Sequence, residues 1–514
     1  MAAERRLTAD LRRTADLHGG RTAVIDGSGA LSYAELDAEV DVLAGALRAH
    51  GVRPGDAVAW CGSRSATAVA VVHAVLRAGA GYAPLDPDGP AGRAARLVER
   101  LRPRAVIADG PARSAWEAVG AGSSWSPLPT TGATELWIAL VPEPRAVPAE
   151  QPAYVLHTSG STGVPKGVVH THDSAAAFVD WGVSELGLGP DDVLLNSAPL
   201  HFDLSTLDLF GACRVGAAVA VLPPSVAPFP AGYADFLRRS GATVWYTVPS
   251  ALAWLTARGT ELLSELKGLR AAVFAGEALR PADVDRLRTV LPGLRVWNWY
   301  GPTETNVCAS YELPPDHGPN RPAPIGRAAA GAELLIVDDR SEQVADGEPG
   351  RLLVRGATLM AGYADGREVF VRTADGRTWY PTGDLVRRDA DGLLAYLGRT
   401  DQQVKSRGYR IELGEVEALI GALPEVRSCV AVAVPDDLLG TAVVGFVRPA
   451  ERPPGPSSGL AAAVRAALPS YLVPARLFVL TGDFPRLSSG KTDRAALAAG
   501  AVGDGALEGT DRVW

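Results

Sequence analysis

Lysine is the scarce residue of this chain: four occur in 514 residues, against 46 arginines. Cysteine is as rare, and Cys61, Cys213, Cys308 and Cys429 are far apart with no CxxC pair. That spacing points away from a zinc site or a disulfide framework. Only two methionines occur, and with the excess of Ala, Arg, Gly and Pro this reads as GC-rich coding rather than as a structural signature. No uninterrupted apolar run reaches the roughly 18 residues of a transmembrane helix. The first residues, MAAERRLTADLRRTADLHGG, lack the apolar core of a signal peptide and carry Glu4, Asp10 and Asp16. They read as an amphipathic helix, and a cytoplasmic location is expected. A formal charge of −8 with no basic stripe argues against nucleic acid as a partner.

What is present is concentrated. Three of the four lysines, Lys166, Lys405 and Lys491, lie in Gly-containing strings that make up about a twelfth of the chain. These are TSGSTGVPKG (158–167), GRTDQQVKSRGYRIELGEVE (398–417) and GDFPRLSSGKTDR (482–494). Lys is a compact, mobile point charge, whereas Arg is a planar fork. A chain that uses Arg almost everywhere else keeps Lys where a fork does not fit, and that points to phosphate chemistry. Lys267 fits a solvated surface.

Apolar content of 47% and charge of 21% are ordinary for a globular chain, and the length calls for more than one domain. Apolar strand-like runs such as TAVID, DAVAWCG, RAVIADG and AVAVLPP alternate with Ala/Leu/Arg helical stretches, which predicts layered α/β sheets. From about residue 333 shorter strands joined by DG and GE turns predict a small β subdomain. From about 401 the helix-like ELGEVEALIGAL and strand-like SCVAVAVPDD predict a small α+β domain. The expected division is therefore 1–400 and 401–514.

AYVLHTSGSTGVPKG reads as a strand followed by a Gly/Ser/Thr loop. Thr158, Ser159, Gly160, Ser161, Thr162, Gly163 and Lys166 offer backbone N–H groups, hydroxyls and an ammonium to a polyphosphate. It is not a Walker A loop, because Pro165 precedes the lysine and Gly167 follows it. Taken alone, such a loop reads equally well as a flexible linker.

Further strings follow in order: LSYAEL, LRAGAGYAPLD, FDLSTLDLF (202–210), NWYGPTE (298–304), YPTGDL (380–385), LPSYLVP (468–474) and SSGKTDR. Together with the phosphate loop they make the chain resemble, nearly end to end, the adenylate-forming enzymes of the ANL superfamily. That group includes acyl-CoA synthetases, luciferases and adenylation domains of nonribosomal peptide synthetases. The resemblance implies a mobile C-terminal domain hinged at Asp401. It implies attack of a carboxylate on the α-phosphate of ATP, releasing pyrophosphate and forming an acyl-AMP. An anion must approach a polyanion, so catalysis is positioning and charge neutralisation.

By this resemblance Lys491 bridges carboxylate and α-phosphate. Thr303 contacts phosphate, and Glu304 holds Mg²⁺. Tyr300 gives adenine a flat face and Asn298 an amide, or Tyr300 is simply a core residue. Asp384 accepts the ribose hydroxyls, with Tyr396 and Arg399 nearby, while Gly276 and Glu277 line the other side of adenine. Lys405, with Arg407 and Gly408, serves the thioester-forming state after domain rotation, or it is surface structure.

Asp203 is the most discriminating residue. In peptide-synthetase relatives this Asp pairs with the substrate's α-amino group, and a buried ammonium needs such a partner. The alternative is a helix N-cap. Motif alignment assigns the rest of the pocket to Leu204, Leu207, Thr247, Val273, Ala275, Trp299, Val307 and Cys308, none of them charged. Trp299 either faces the substrate or points into the core. With two leucines it is expected to fill most of the pocket, leaving room for a small neutral amino acid: alanine first, then proline, serine, glycine or 2-aminobutyrate. No carrier-domain GGxS and no HHxxxDG string occurs. The expected acceptor is therefore the phosphopantetheine of a separate carrier protein, in natural-product biosynthesis. The alternatives are a D-alanine–carrier protein ligase, disfavoured by Ala275 where those enzymes carry Cys, an acyl-CoA ligase for a small carboxylic acid, or a non-catalytic relative.

Overall fold

The computed structural model describes residues 7–119, 124–132, 134–160, 165–257, 260–401, 403–436, 440–450, 457–480, 482–486, 492–502 and 510–514. The chain divides into two compact units. The first comprises Met1–Pro87, Ala91–His157 and Gly167–Thr400, and the second Asp88–Pro90, Thr158–Lys166 and Asp401–Trp514.

The first unit is built on two large sheets. One has nine strands, with a parallel centre (Arg295–Tyr300, Ala271–Ala275, Val244–Thr247, Val193–Asn196, Ala218–Val221, Thr22–Asp26) and antiparallel edges. The other has eight strands and includes Gly81–Pro84, Ala57–Cys61, Ala105–Asp109, Pro152–Thr158 and Lys166–Thr171. The runs TAVID, DAVAWCG, RAVIADG and AVAVLPP all become strands, because continuous apolar runs suit parallel strands covered on both faces. Helices Tyr33–Ala49, Ala66–Arg77 and His172–Leu186 share one continuous core with residues of both sheets. Separate apolar layers cover the outer faces of the two sheets. A third, five-stranded sheet holds Glu333–Val337, Pro349–Arg355, Thr378–Arg388 and Leu394–Arg399, where the shorter strands are expected from sequence.

Local chemistry sets the helix ends. Ser32 and Glu35 form a reciprocal capping box at the start of Tyr33–Ala49. Thr171 and Ser174 do the same for His172–Leu186, which ends at Gly187 with φ +55°.

The second unit pairs the hairpin Gln403–Ser406/Tyr409–Glu412 with a four-stranded sheet and helices Leu413–Gly421, Ser457–Ala467 and Arg494–Val502. In the Pro-rich stretch 449–459, Ser457 already starts a helix.

Two fully enclosed histidines belong to the first unit. His73 is edge-on to Phe210, and His170 Nε2 donates to the Thr303 carbonyl oxygen at 2.8 Å. Burial holds His73 down to about 3 and His170 down to about 4, against an ordinary value of 6.5. Unfolded imidazoles therefore take up protons at a pH where the folded ones do not. Their contribution is complete above about pH 6.5 and drains as pH falls towards 4, on the order of 2–3 kcal/mol per histidine. Denaturant unfolding measured from about pH 7 to about pH 4.5 should show stability falling steadily with acidification. A flat profile through that window would contradict two buried neutral imidazoles.

Candidate active site

The residues expected around the nucleotide converge at the C-terminal end of the strand Arg295–Tyr300. Tyr300 donates its phenol hydrogen to Asp384, and Arg399 Nη1 lies 2.5 Å from the other carboxylate oxygen. Asp384 and Arg399 face each other on adjacent strands, Thr378–Arg388 and Leu394–Arg399. Their side chains are 1% and 6% exposed, so this is a charge pair withdrawn from water. Burial, and then the Asp384 carboxylate, pushes the Tyr300 phenol well above its ordinary range. Tyr396 sits beside it, with ring centroids 6.3 Å apart. Asn298 donates through Nδ2 to the Pro324 carbonyl oxygen at 2.8 Å. Gly276 has φ +88°, a conformation glycine adopts without strain. Glu277 accepts from the backbone N–H of Ser250 at 2.8 Å, in the first turn of helix Pro249–Thr256. It thus caps that helix, a contact the sequence reading did not anticipate.

Thr303 and Glu304 form a short 3₁₀ turn after this strand. Glu304 is fully buried and accepts from the Tyr363 hydroxyl at 2.7 Å. Burial and the neighbouring Glu304 charge raise the Tyr363 phenol. Among the described residues no group of three His, Cys, Asp or Glu side chains is arranged to hold a metal ion. One buried carboxylate beside Thr303, expected to contact phosphate, fits an ion that is otherwise coordinated by phosphates and water.

Most of the residues expected around the amino acid form an aromatic-walled cluster. Leu204, Leu207, Val273, Ala275, Trp299 and Val307 are buried in one core with Tyr246. Trp299 lies 4.6 Å from Trp181 and 5.2 Å from Tyr246 between ring centroids. Thr247 adjoins through its hydroxyl, 3.3 Å from Ser197 Oγ. Cys308 is different: it packs with Tyr300, Ile336, Leu352 and Val386 towards the third sheet. Asp203 is half-buried and makes no side-chain capping bond to the short helix that follows, so the N-cap alternative fails. After burial, its charge helps raise the phenols of Tyr154 and Tyr246, which places the carboxylate near both rings. The helix continues as a π-helical turn, Leu207–Gly211. There burial holds the Asp208 carboxyl above its ordinary range, with Asn196 donating at 3.1 Å.

In the second unit, Thr158 Oγ1 is buried and has no hydrogen-bond partner among the described residues. Ser159 instead donates to the Arg410 carbonyl oxygen, and Gly160 is buried beside it. Ser161, Thr162, Gly163 and Lys491 lie outside the described residues. Lys166 opens the strand Lys166–Thr171. Lys405 faces Arg410 in a hairpin whose two turn residues, Arg407 (φ +53°) and Gly408 (φ +79°), are both left-handed, as a two-residue I′ turn requires. Arg407 donates to the carbonyl oxygens of Tyr471 and Val473 at 2.9 and 3.3 Å, and Tyr471 stacks on Tyr409 at 4.2 Å. The LPSYLVP string is thus the brace of this hairpin. Asp401 opens the unit and accepts from the Gln403 N–H at 3.2 Å.

The chain is similar to known proteins over most of its length. The AMP-binding enzyme family matches residues 11–364, and its C-terminal domain matches 415–491. An L-proline–[L-prolyl-carrier protein] ligase of Pseudomonas fluorescens is 37% identical over 93% of this chain and 96% of its own. A ligase of the same description from Streptomyces coelicolor is 39% identical over 79% of this chain and 80% of its own. Among solved structures, holo-PA1221, a nonribosomal peptide synthetase protein containing adenylation and carrier domains, superposes with TM-score 0.79 at 27% identity. That superposition covers 96% of this chain and 84% of PA1221. Among the described residues no helix is long and apolar enough to cross a membrane. The chain therefore belongs to the AMP-binding enzyme family and is an adenylate-forming ligase of the ANL superfamily.

Proposed function

We propose that the chain activates a small neutral amino acid, L-proline first, with ATP and passes it to the phosphopantetheine thiol of a carrier protein. The observation that carries this reading is the half-buried Asp203 carboxylate beside an uncharged cluster of Leu204, Leu207, Val273, Ala275, Trp299 and Val307. An α-ammonium needs the carboxylate, and an apolar side chain needs the cluster. The sequence alone ranked alanine ahead of proline. Two relatives described as L-proline–carrier protein ligases support placing proline first here.

In the first step a substrate carboxylate oxygen bonds to the α-phosphorus, and the bond to pyrophosphate breaks. Lys491 neutralises the approaching charges, while Thr158, Ser161, Thr162 and Lys166 hold the phosphates. Asp384, fixed by Tyr300 and Arg399, accepts the ribose hydroxyls. Glu304 would hold Mg²⁺, which when bound would neutralise phosphate charge. In the second step the thiol sulfur bonds to the acyl carbon, AMP leaves and the thiol proton passes to solvent, and Lys405 is the lysine assigned to this step.

Amino-acid-dependent exchange of pyrophosphate into ATP, run over proline, both alanines, glycine, serine and simple carboxylic acids, tests the reading. Proline should exchange best, and Asp203→Ala should lose about 100-fold or more in kcat/KM. Turnover of an acid without an amine, unchanged by Asp203→Ala, would favour an acyl-CoA ligase instead. Lys491→Ala should abolish exchange, whereas Lys405→Ala should retain it and slow thioester formation. Equal loss in both half-reactions would remove the division of labour between the lysines. Arg399→Ala strands a buried carboxylate and should destabilise the protein by about 3–5 kcal/mol. Arg399→Lys should recover part of that loss, and both effects are read from unfolding midpoints.

A further inference from the structure

Leu207 is wholly buried, and its end lies in a niche between two glycines. A Cβ on Gly182, in helix His172–Leu186, would stand 2.8 Å from Leu207 Cδ1 and 3.2 Å from Cδ2. A Cβ on Gly211, the last residue of the π-helical turn, would stand 3.0 Å from the same Cδ1. Contacts this close do not persist, so one partner must move. The mobile partner is the end of the leucine, not the helix backbone. Gly182 lies in the body of its helix, where glycine costs about 1 kcal/mol relative to alanine. No backbone conformation demands it there, since its φ is ordinary for a helix. What its missing side chain supplies is volume. The same helix backs a second wall of the cluster: Trp181, the preceding residue, packs on Trp299 at 4.6 Å.

We propose that Gly182 is a specificity-determining positioning residue that sets the depth of the amino-acid pocket. Its absent Cβ lets Leu207 retreat from the substrate side and leaves room for a ring the size of proline's. This inference rests on the amino-acid-activating reading above and adds a residue that touches no substrate. Under this inference two leucines and Trp299 fill less of the pocket than expected, because one of those leucines is drawn back into the helix layer.

Gly182→Ala should push Leu207 inward and lower the ratio of kcat/KM for proline over glycine or alanine by about tenfold or more, chiefly through KM for proline. KM for ATP should not move. Adding Leu207→Ala to Gly182→Ala should restore the ratio, which a general loss of fold would not allow. Should Gly182→Ala fail to fold, Leu207→Ala alone opens the same space and should shift preference towards pipecolate and larger side chains. Uniform loss across the panel, or an unchanged preference in both single variants, would overturn the inference. Wild-type protein that exchanges another amino acid but not proline would defeat the choice of proline. Pocket depth would then be judged by whether Gly182→Ala moves the preference towards smaller members of the panel.

Discussion

A carboxylate taken out of water must have its hydration replaced, and Asp384 is where the first unit meets that demand. One of its two partners, Tyr300, ends a strand of the nine-stranded sheet, and the other, Arg399, lies on the neighbouring strand of the third sheet. The pair therefore fastens two sheets at the point where the nucleotide residues gather. Asn298 and Thr303–Glu304 hang from the same strand and the turn that follows it. Their placement depends on that strand end being fixed. Tyr363 and His170 extend the support outward, one to the Glu304 carboxylate and the other to the Thr303 carbonyl oxygen.

The amino-acid cluster is held differently, by packing rather than by charge. Aromatic rings of Trp181, Tyr246 and Trp299 meet at tilted and edge-on angles, which suits their quadrupoles. Such a wall is stiff, so small changes behind it are transmitted across it. Asp203 is the one charged group that motif alignment assigns to this side of the site.

Much of this was legible in the sequence, and the limits have physical causes. The strands could be read because apolar runs bounded by turn residues have few other uses. Tyr300, Asp384 and Arg399 were each found within a motif. The pairing of Tyr300 with Asp384 was not, because residues 84 positions apart in the chain carry no local sign of contact. Tyr363, Trp181 and Asn196 were missed for the same reason. Gly182 was worse than silent: inside a helical stretch a glycine reads as a weak helix former, and only the leucine pressed against it explains its presence. Cys308 is aligned to the pocket, but it packs towards the third sheet, since just before the strand Ala309–Leu313 the chain passes from one core, at Val307, to another.

The π-helical turn at Leu207–Gly211 has one more consequence. A π turn is an α-helix with one extra residue, so it rotates everything beyond it by about 100° relative to a regular helix. Asp203, Leu204 and Leu207 keep one helical phase, and Ala212–Val215 follow another. A chain with a regular helix here would need a gap within those five residues to be matched to this one. Pocket positions counted back from the downstream side without that gap would land on the wrong face. Specificity grafted between such relatives must therefore be numbered from Asp203 forward.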